Sequence, residues 1–310
     1  MTPVTTRIAT MSAPSAEVPG YFQVAPDGRV TPNDDLLSRA PGIVRHHLSS
    51  LPVHRAMIRV VEALLVGAEP LVGPVLDVGC GDGHFARAVL APSRGAPIDA
   101  GIDPWFPSVR ESQASGAYRM ALASGGEAMP FPDGTFNTVV SNCVLEHIPP
   151  LAATLREISR VLAPGGRLVI TVPSDRFAPS LFWPRALTAA GMPGLGEAYG
   201  DWFNGISKHF HTYDRPGWTA RLAEAGLEVS HWSSYLLPDA MGLFDLSHYY
   251  GAPTLVTKRL LGRWILWPGK WRYLPWERAI ERQLVRWCRQ VGVDGGAYFF
   301  FVARKKPDGQ

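Results

Sequence analysis

Three glycines, Gly79, Gly81 and Gly83, alternate within five positions of "VLDVGCGDGHFA" (75–86), directly after a short apolar run that carries Asp77. A strand, such a loop and then a helix bring backbone N–H groups and a helix N-terminus close to a nucleotide-like ligand, because no Cβ stands in the way. A pyrophosphate-binding G-x-G-x-x-G beginning at Gly79 needs a glycine at 84, where His84 stands. The pattern is instead D-x-G-x-G-x-G. A carboxylate beside bare amides suits a ligand that ends in both an ammonium and a carboxylate. Asp103, in "GIDPW" about 20 residues past the loop, stands where an acid can accept both hydroxyls of a ribose.

A second group of reactive side chains lies in "KHFHTYDRPGW" (208–218). His211 is the first choice for a general base or acceptor contact, His209 the second, and His147 of "VLEHI" (144–148) the third. The competing reading of the first two is a pair of solvent-facing or loop-packing histidines.

These residues need a scaffold. The chain has 310 residues, 46% hydrophobic and 18% charged, enough for one large elaborated domain or two smaller ones. A net charge of +3 is too mild to make nucleic acid an expected partner. Cys80, Cys143 and Cys288 are widely spaced and odd in number, so neither a disulfide framework nor a paired zinc motif is written here, and a cytoplasmic location is expected. Residues 1–40 read as a flexible tail without a secretory apolar region. No run reaches the roughly 18 apolar residues that a spanning helix requires.

Helical spacing over about 51–68 leads into strand-like runs at 74–79, 97–103, 118–123, 136–142 and 166–172, alternating with helical patterns that start near His84, Ser108 and Leu151. Such alternation implies βαβ units and a parallel sheet covered on both faces. A helix at 214–225 and strands at 227–236 and 297–305 continue the pattern. Two insertions interrupt this domain of residues 41–310. The first, 174–213, lacks clean periodicity over its length to 206 and reads as a long loop over one end of the sheet, a lid or acceptor region. The second, 237–295, is expected to be helical. Within it, 255–290 holds nine basic residues against Glu277 and Glu281, with Trp264, Trp267, Trp271, Trp276 and Trp287. That composition suits a surface helix on anionic lipid; the alternative is a lid whose tryptophans pack inward while its arginines stay in water.

Taken together, "VLDVGCGDGHFA", "GIDPW", "GGEAMPFPDGTFNTVVSNCVLEHI" (125–148) and "EISRVLAPGGRLVITVPS" (157–174) resemble, in order, the motifs of class I S-adenosylmethionine-dependent methyltransferases of the type 11-like group. The resemblance implies a Rossmann-like, doubly wound α/β fold with a mostly parallel seven-stranded sheet and an antiparallel last strand. It implies S-adenosyl-L-methionine as cofactor, with Asp77, Gly79, Gly81 and Gly83 against its methionine and ribose parts and Asp103 on the ribose. Glu127 and Met129 would flank the adenine, and Asn142 would face the methionine end. Gly125 stands where many relatives carry an acid, so the adenine amine contact falls to backbone groups or to Glu127. Ubiquinone-biosynthesis O-methyltransferases share a cation-binding ExxEH; here Cys143 replaces the first glutamate, and no metal is expected.

The activity implied is methylation of a small-molecule acceptor, hydrophobic or lipid-linked, with oxygen the favoured target and peripheral membrane contact through 255–290. Two other classes stay open on the sequence: a nicotinamide-dependent oxidoreductase, which would share the glycine loop and Asp103, and a non-catalytic binding protein of the same fold.

Overall fold

A computed structural model describes residues 18–251, 253–264 and 275–306. The chain enters through a hairpin, β1 (Phe22–Val24) and β2 (Val30–Pro32), followed by α1 (Asp34–Ser38), α2 (Ala40–Leu48) and α3 (Val53–Val66). Residues 22–38 of the expected tail are therefore largely folded chain, and residues 1–17 lie outside the described residues. Phe22 and Val30 are buried, and the Ser233 hydroxyl donates to the Val30 carbonyl at 2.8 Å, which fastens the hairpin to the sheet edge. Short strands and one helical turn carry too few residues to show a period.

The domain proper begins with β3 (Val75–Val78). A π-helical stretch, Ala86–Leu90, and α4 (Ala91–Arg94) lead to β4 (Ala100–Asp103), α5 (Phe106–Ala114), β5 (Ala121–Ala123) and β6 (Phe136–Asn142). Then come α6 (Leu151–Val161), β7 (Leu162–Pro173), α7 (Phe182–Ala189), α8 (Pro193–Ser207), α9 (Arg215–Glu224) and β8 (Leu227–Tyr235). The second insertion supplies α10 (Pro238–Gly251), α11 (Pro253–Leu261) and α12 (Pro275–Cys288) before β9 (Tyr298–Lys305).

Seven strands form one sheet in the order β5-β4-β3-β6-β7-β9-β8. The first five are parallel, and β9 runs antiparallel to both β7 and β8. This is the doubly wound α/β arrangement. Its strand order reverses between β3 and β6, which opens a crevice beyond their carboxyl ends. Strands such as "VLDV" and "LVITV" are buried along their length, Asp77 included, because helices cover both faces of the sheet. One core, built around α3, α10 and α12, lies on one face; α6 and α9 close the other through Leu155, Ile158, Trp218 and Leu222.

Residues 174–213 are not the irregular loop that their composition suggests. They form a helical hairpin, α7 and α8, whose ends close on each other where Ser174 bridges Tyr213. Glycine here serves close approach rather than a turn: a Cβ on Gly196 would stand 2.8 Å from the Pro184 carbonyl, and one on Gly200 3.1 Å from the Ala178 methyl. The buried Asp245 of α10 ties the two insertions together, accepting from the Trp183 N–H at 3.2 Å and from the Tyr199 hydroxyl at 2.6 Å.

Candidate active site

The crevice holds a cavity of about 380 Å³ lined by Gly79, Asp103, Ser124, Gly125, Glu127 and Val144 among others. The glycine loop hangs from β4, with the N–H groups of Gly79 and Cys80 both donating to the Ile102 carbonyl. Gly79 and Gly81 have φ of +83° and +52°, a region that side-chain-bearing residues rarely occupy. A Cβ on Gly79 would collide with the Val144 side chain, whereas one on Gly81 would meet nothing within 4 Å. Gly83 shares the positive φ, at +74°, and its missing Cβ also admits Ser112 and Ser115 of α5 and the turn after it.

Asp103 lies at the cavity wall. Its carboxylate accepts from the Gly81 N–H at 3.1 Å and the Trp105 N–H at 2.8 Å. Asp77 is buried beneath the loop and accepts from the Tyr118 hydroxyl at 2.5 Å; Gly101 makes room for that phenol ring on β4. Burial pushes the Asp77 carboxyl up to about 6, an effect that the Tyr118 hydrogen bond only partly offsets. At the other end of the cavity the Glu127 carboxylate folds back over Gly125, 2.6 Å from where a Cβ at 125 would stand. The acid missing at 125 is thus replaced in space by the one at 127. A diol acceptor at Asp103, apolar walls from Ile102, Val144 and Ile148, and a carboxylate at the far end fit an adenosine.

A second cavity, about 300 Å³, adjoins the first, and His147 lines both. Its walls come from α3 (His54, Arg55, Ile58, Arg59), the turn after β6 (Cys143, Glu146, His147), the first insertion (Phe177, Ser207, His209) and the second (Phe244, His248, Trp264). Arg59 forms an ion pair with the buried Glu62, whose carboxylate also accepts from the Asn142 amide at 2.8 Å and the Cys143 thiol at 2.7 Å. Burial raises the Glu146 carboxyl to about 8. It lowers His209 to about 3, with the nearby His147 contributing, and lowers His147 as well. The imidazoles are therefore neutral near pH 7, their ring nitrogens open to hydrogen bonding or ligation, and the same burial makes them weaker bases than a free histidine.

The sequence-derived residues divide accordingly. Gly79, Asp103, Glu127 and His147 line the cofactor cavity, and His209 joins His147 at the second one. Met129 does not flank the cavity: it is buried in the core against Leu76 and Phe136 on the α6 side of the sheet. Asn142 lines neither cavity, because Glu62 and the Thr171 hydroxyl take its amide. His211 is held away as well, one ring nitrogen against the Ile148 carbonyl and the other against the Tyr213 hydroxyl, both at 3.0 Å. It lines a third cavity, of about 570 Å³, with Pro149, Pro150 and Tyr213. Arg55, Arg59 and Glu62 escaped the sequence reading, although their spacing of four and three residues places them on one helical face.

Comparison with known proteins agrees with this geometry. The methyltransferase domain family matches residues 45–231 of the chain. Trans-aconitate 2-methyltransferase of Methylobacterium radiotolerans is 30% identical over 189 residues, 59% of this chain and 70% of that one. Malonyl-[acyl-carrier protein] O-methyltransferase of Pseudescherichia vulneris is 32% identical over 107 residues, 34% of this chain and 41% of that one, so under half of this second relative is spanned. A solved S-adenosylmethionine-dependent methyltransferase from Thermotoga maritima superposes with a TM-score of 0.50 at 18% identity, covering 82% of this chain and 91% of that one, a likeness of fold.

The chain belongs to the methyltransferase domain family, and its cofactor is S-adenosylmethionine. The nicotinamide reading falls with that assignment.

Proposed function

We propose that this enzyme methylates an oxygen of a small, largely apolar acceptor held in the second cavity. The observation that carries the proposal is the position of His147 on the shared wall of the two cavities. When bound, the cofactor supplies an electrophilic methyl group on a sulfonium. The residues of the chain then have to orient the acceptor and take its proton. Phe177, Phe244, Trp264 and Ile58 offer apolar surface to the acceptor, while neutral His147 and His209 stand beside it, placed to accept a hydrogen bond from its hydroxyl and with it the proton as the methyl transfers. His209 takes the place that the sequence assigned first to His211.

The test is mass spectrometry of products formed from isotopically labelled S-adenosylmethionine and a panel of apolar alcohols, phenols and amines. O-methyl products that disappear in His147→Ala, with S-adenosylhomocysteine still bound, are expected. Methylation confined to amines or carbon would overturn the choice of oxygen.

A separate observation supports delivery of the acceptor from a membrane surface. Helix α11 is inside out: Lys258 points inward to Asp82 and Glu111, and Thr257 bonds the Trp264 carbonyl, whereas Val256, Leu260 and Leu261 face solvent beside the exposed Arg259 and Arg263. An apolar face flanked by cations suits anionic lipid. Among the described residues no helix is long and apolar enough to cross a membrane, so the contact proposed is peripheral. Trp267, Trp271, Lys270 and Arg272, which contributed to the sequence expectation, lie outside the described residues. Co-sedimentation with anionic but not neutral liposomes is expected, and equal sedimentation with both would remove the proposal.

A further inference from the structure

We infer that Glu146, His147 and His209 form a binding site for one divalent transition-metal cation of the zinc type, on the wall between the two cavities. One ligand atom from each residue lies within 4.8 Å of the others, although His209 is far from the other two in sequence. The main chain builds this proximity: the Phe210 N–H donates to the Glu146 carbonyl at 2.8 Å, which lays the end of the first insertion along the turn after β6. An ion roughly 2.1 Å from each ligand needs them roughly 3.4 Å apart. Binding therefore requires the three side chains to turn toward one another.

Three features of the site point to a ligand rather than to packing. The Glu146 side chain is 1% exposed, yet its Oε2 has no hydrogen-bond partner among the described residues. The Cys143 thiol lies near both Glu62 and Glu146, and its single proton points to Glu62 at 2.7 Å. A buried carboxyl oxygen without a partner is costly whether or not the group carries its proton, and a cation that displaces the proton removes the cost.

The second feature is the orientation of the imidazoles. His147 Nδ1 faces the Lys208 carbonyl at 3.1 Å, and His209 Nδ1 faces the Asn204 side chain at 3.3 Å. The carbonyl requires the proton of His147 on Nδ1, and the Asn204 amide oxygen admits the same tautomer for His209. Both Nε2 lone pairs are then free. Metal-ligating histidines are fixed in this way by a partner on the opposite nitrogen. The third feature is charge: of the two guanidiniums on this cavity, Arg59 is paired with Glu62 and Arg55 lies over the Trp264 ring.

Two imidazoles and one carboxylate suit a zinc-type ion and leave a coordination position open. That position faces the acceptor cavity, where an oxygen of the acceptor would occupy it; with the ion bound the Nε2 lone pairs are taken, and the ion rather than the imidazoles would lower the acceptor's proton affinity. Only this last assignment rests on the proposed O-methylation. The sequence reading, which expected no metal, weighed only ligands adjacent in the chain.

The test is calorimetry with the full chain and Zn²⁺ alone, with S-adenosylhomocysteine binding measured in parallel as an independent check on the cofactor assignment. One saturable equivalent is expected, weakened at least 10-fold in Glu146→Gln and in His209→Ala but unchanged in the exposed-histidine control His46→Ala. Should a variant misfold, long-range imidazole ¹⁵N spectra of the wild-type protein give the answer: Zn²⁺ should shift Nε2 of His147 and His209 together. No saturable binding, equal binding in all variants, or shifts confined to other histidines would overturn the site.

Discussion

The backbone N–H of Phe210 donates to the carbonyl of Glu146, joining the end of the first insertion to the turn that follows β6. This contact sets how far His209 stands from His147, and their ring centroids lie 5.3 Å apart. Phe210→Pro removes the donor while leaving the cofactor cavity intact. A displacement of about 1 Å in a catalytic group costs about 10²-fold in rate. Turnover should fall by that order with S-adenosylhomocysteine affinity within about threefold of wild type. Equal loss of both would mean that the contact serves only folding.

Asp77 predicts a pH signature. Its folded value of about 6 lies above the unfolded value of about 3.9, so the folded state holds the extra proton between them. The contribution of Asp77 is therefore full below about pH 4 and is lost as pH rises to about 6, a loss on the order of 3 kcal/mol without ligand. Urea unfolding at pH 4.5 and 6.5 should show this slope in the wild type and its absence in Asp77→Asn. Identical slopes would contradict the assignment.

Gly125 and Glu127 form a testable swap. Glu127→Ala should weaken S-adenosylhomocysteine by about 10-fold, the worth of one charge-assisted hydrogen bond. Gly125→Asp alone should also bind poorly, since its Cβ meets the Glu127 carboxylate. The double variant Gly125→Asp, Glu127→Gly should recover most of the affinity by calorimetry. A double variant no better than either single one would show that the two acids do not share a position.

Glu62 carries the buried network under the second cavity. It is fully buried and bound by Arg59, Asn142 and Cys143. Glu62→Ala leaves a guanidinium and an amide without their partner and should cost about 3–5 kcal/mol by denaturant unfolding. A loss under about 1 kcal/mol would mean that water replaces the carboxylate easily.

Lys258 links the second insertion to the cofactor loop, 3.2 Å from Asp82 and 3.1 Å from Glu111. Both pairs are partly exposed, so Lys258→Ala should change global stability by under about 1 kcal/mol. Its effect should appear in kinetics, with S-adenosylhomocysteine leaving several-fold faster in stopped-flow displacement. An unchanged release rate would show that α11 does not restrain the loop.

What the sequence by itself determined is the part written in short-range patterns. The alternation of apolar runs and helical periods, the glycines at 79 and 81, and Asp103 at a strand end are local consequences of backbone geometry, and they lead to the doubly wound sheet and its cofactor cavity. Local pattern failed where glycine served packing, as in α8, and where a residue's surroundings came from distant chain. Met129, Asn142 and His211 carry no signal in their neighbours that Leu76, Glu62 and Ile148 will receive them. Tertiary structure alone decided the second cavity, because its walls come from α3, the turn after β6 and both insertions. Those pieces meet only through long-range contacts such as Phe210 to Glu146 and Trp183 to Asp245, and no spacing along the chain encodes them.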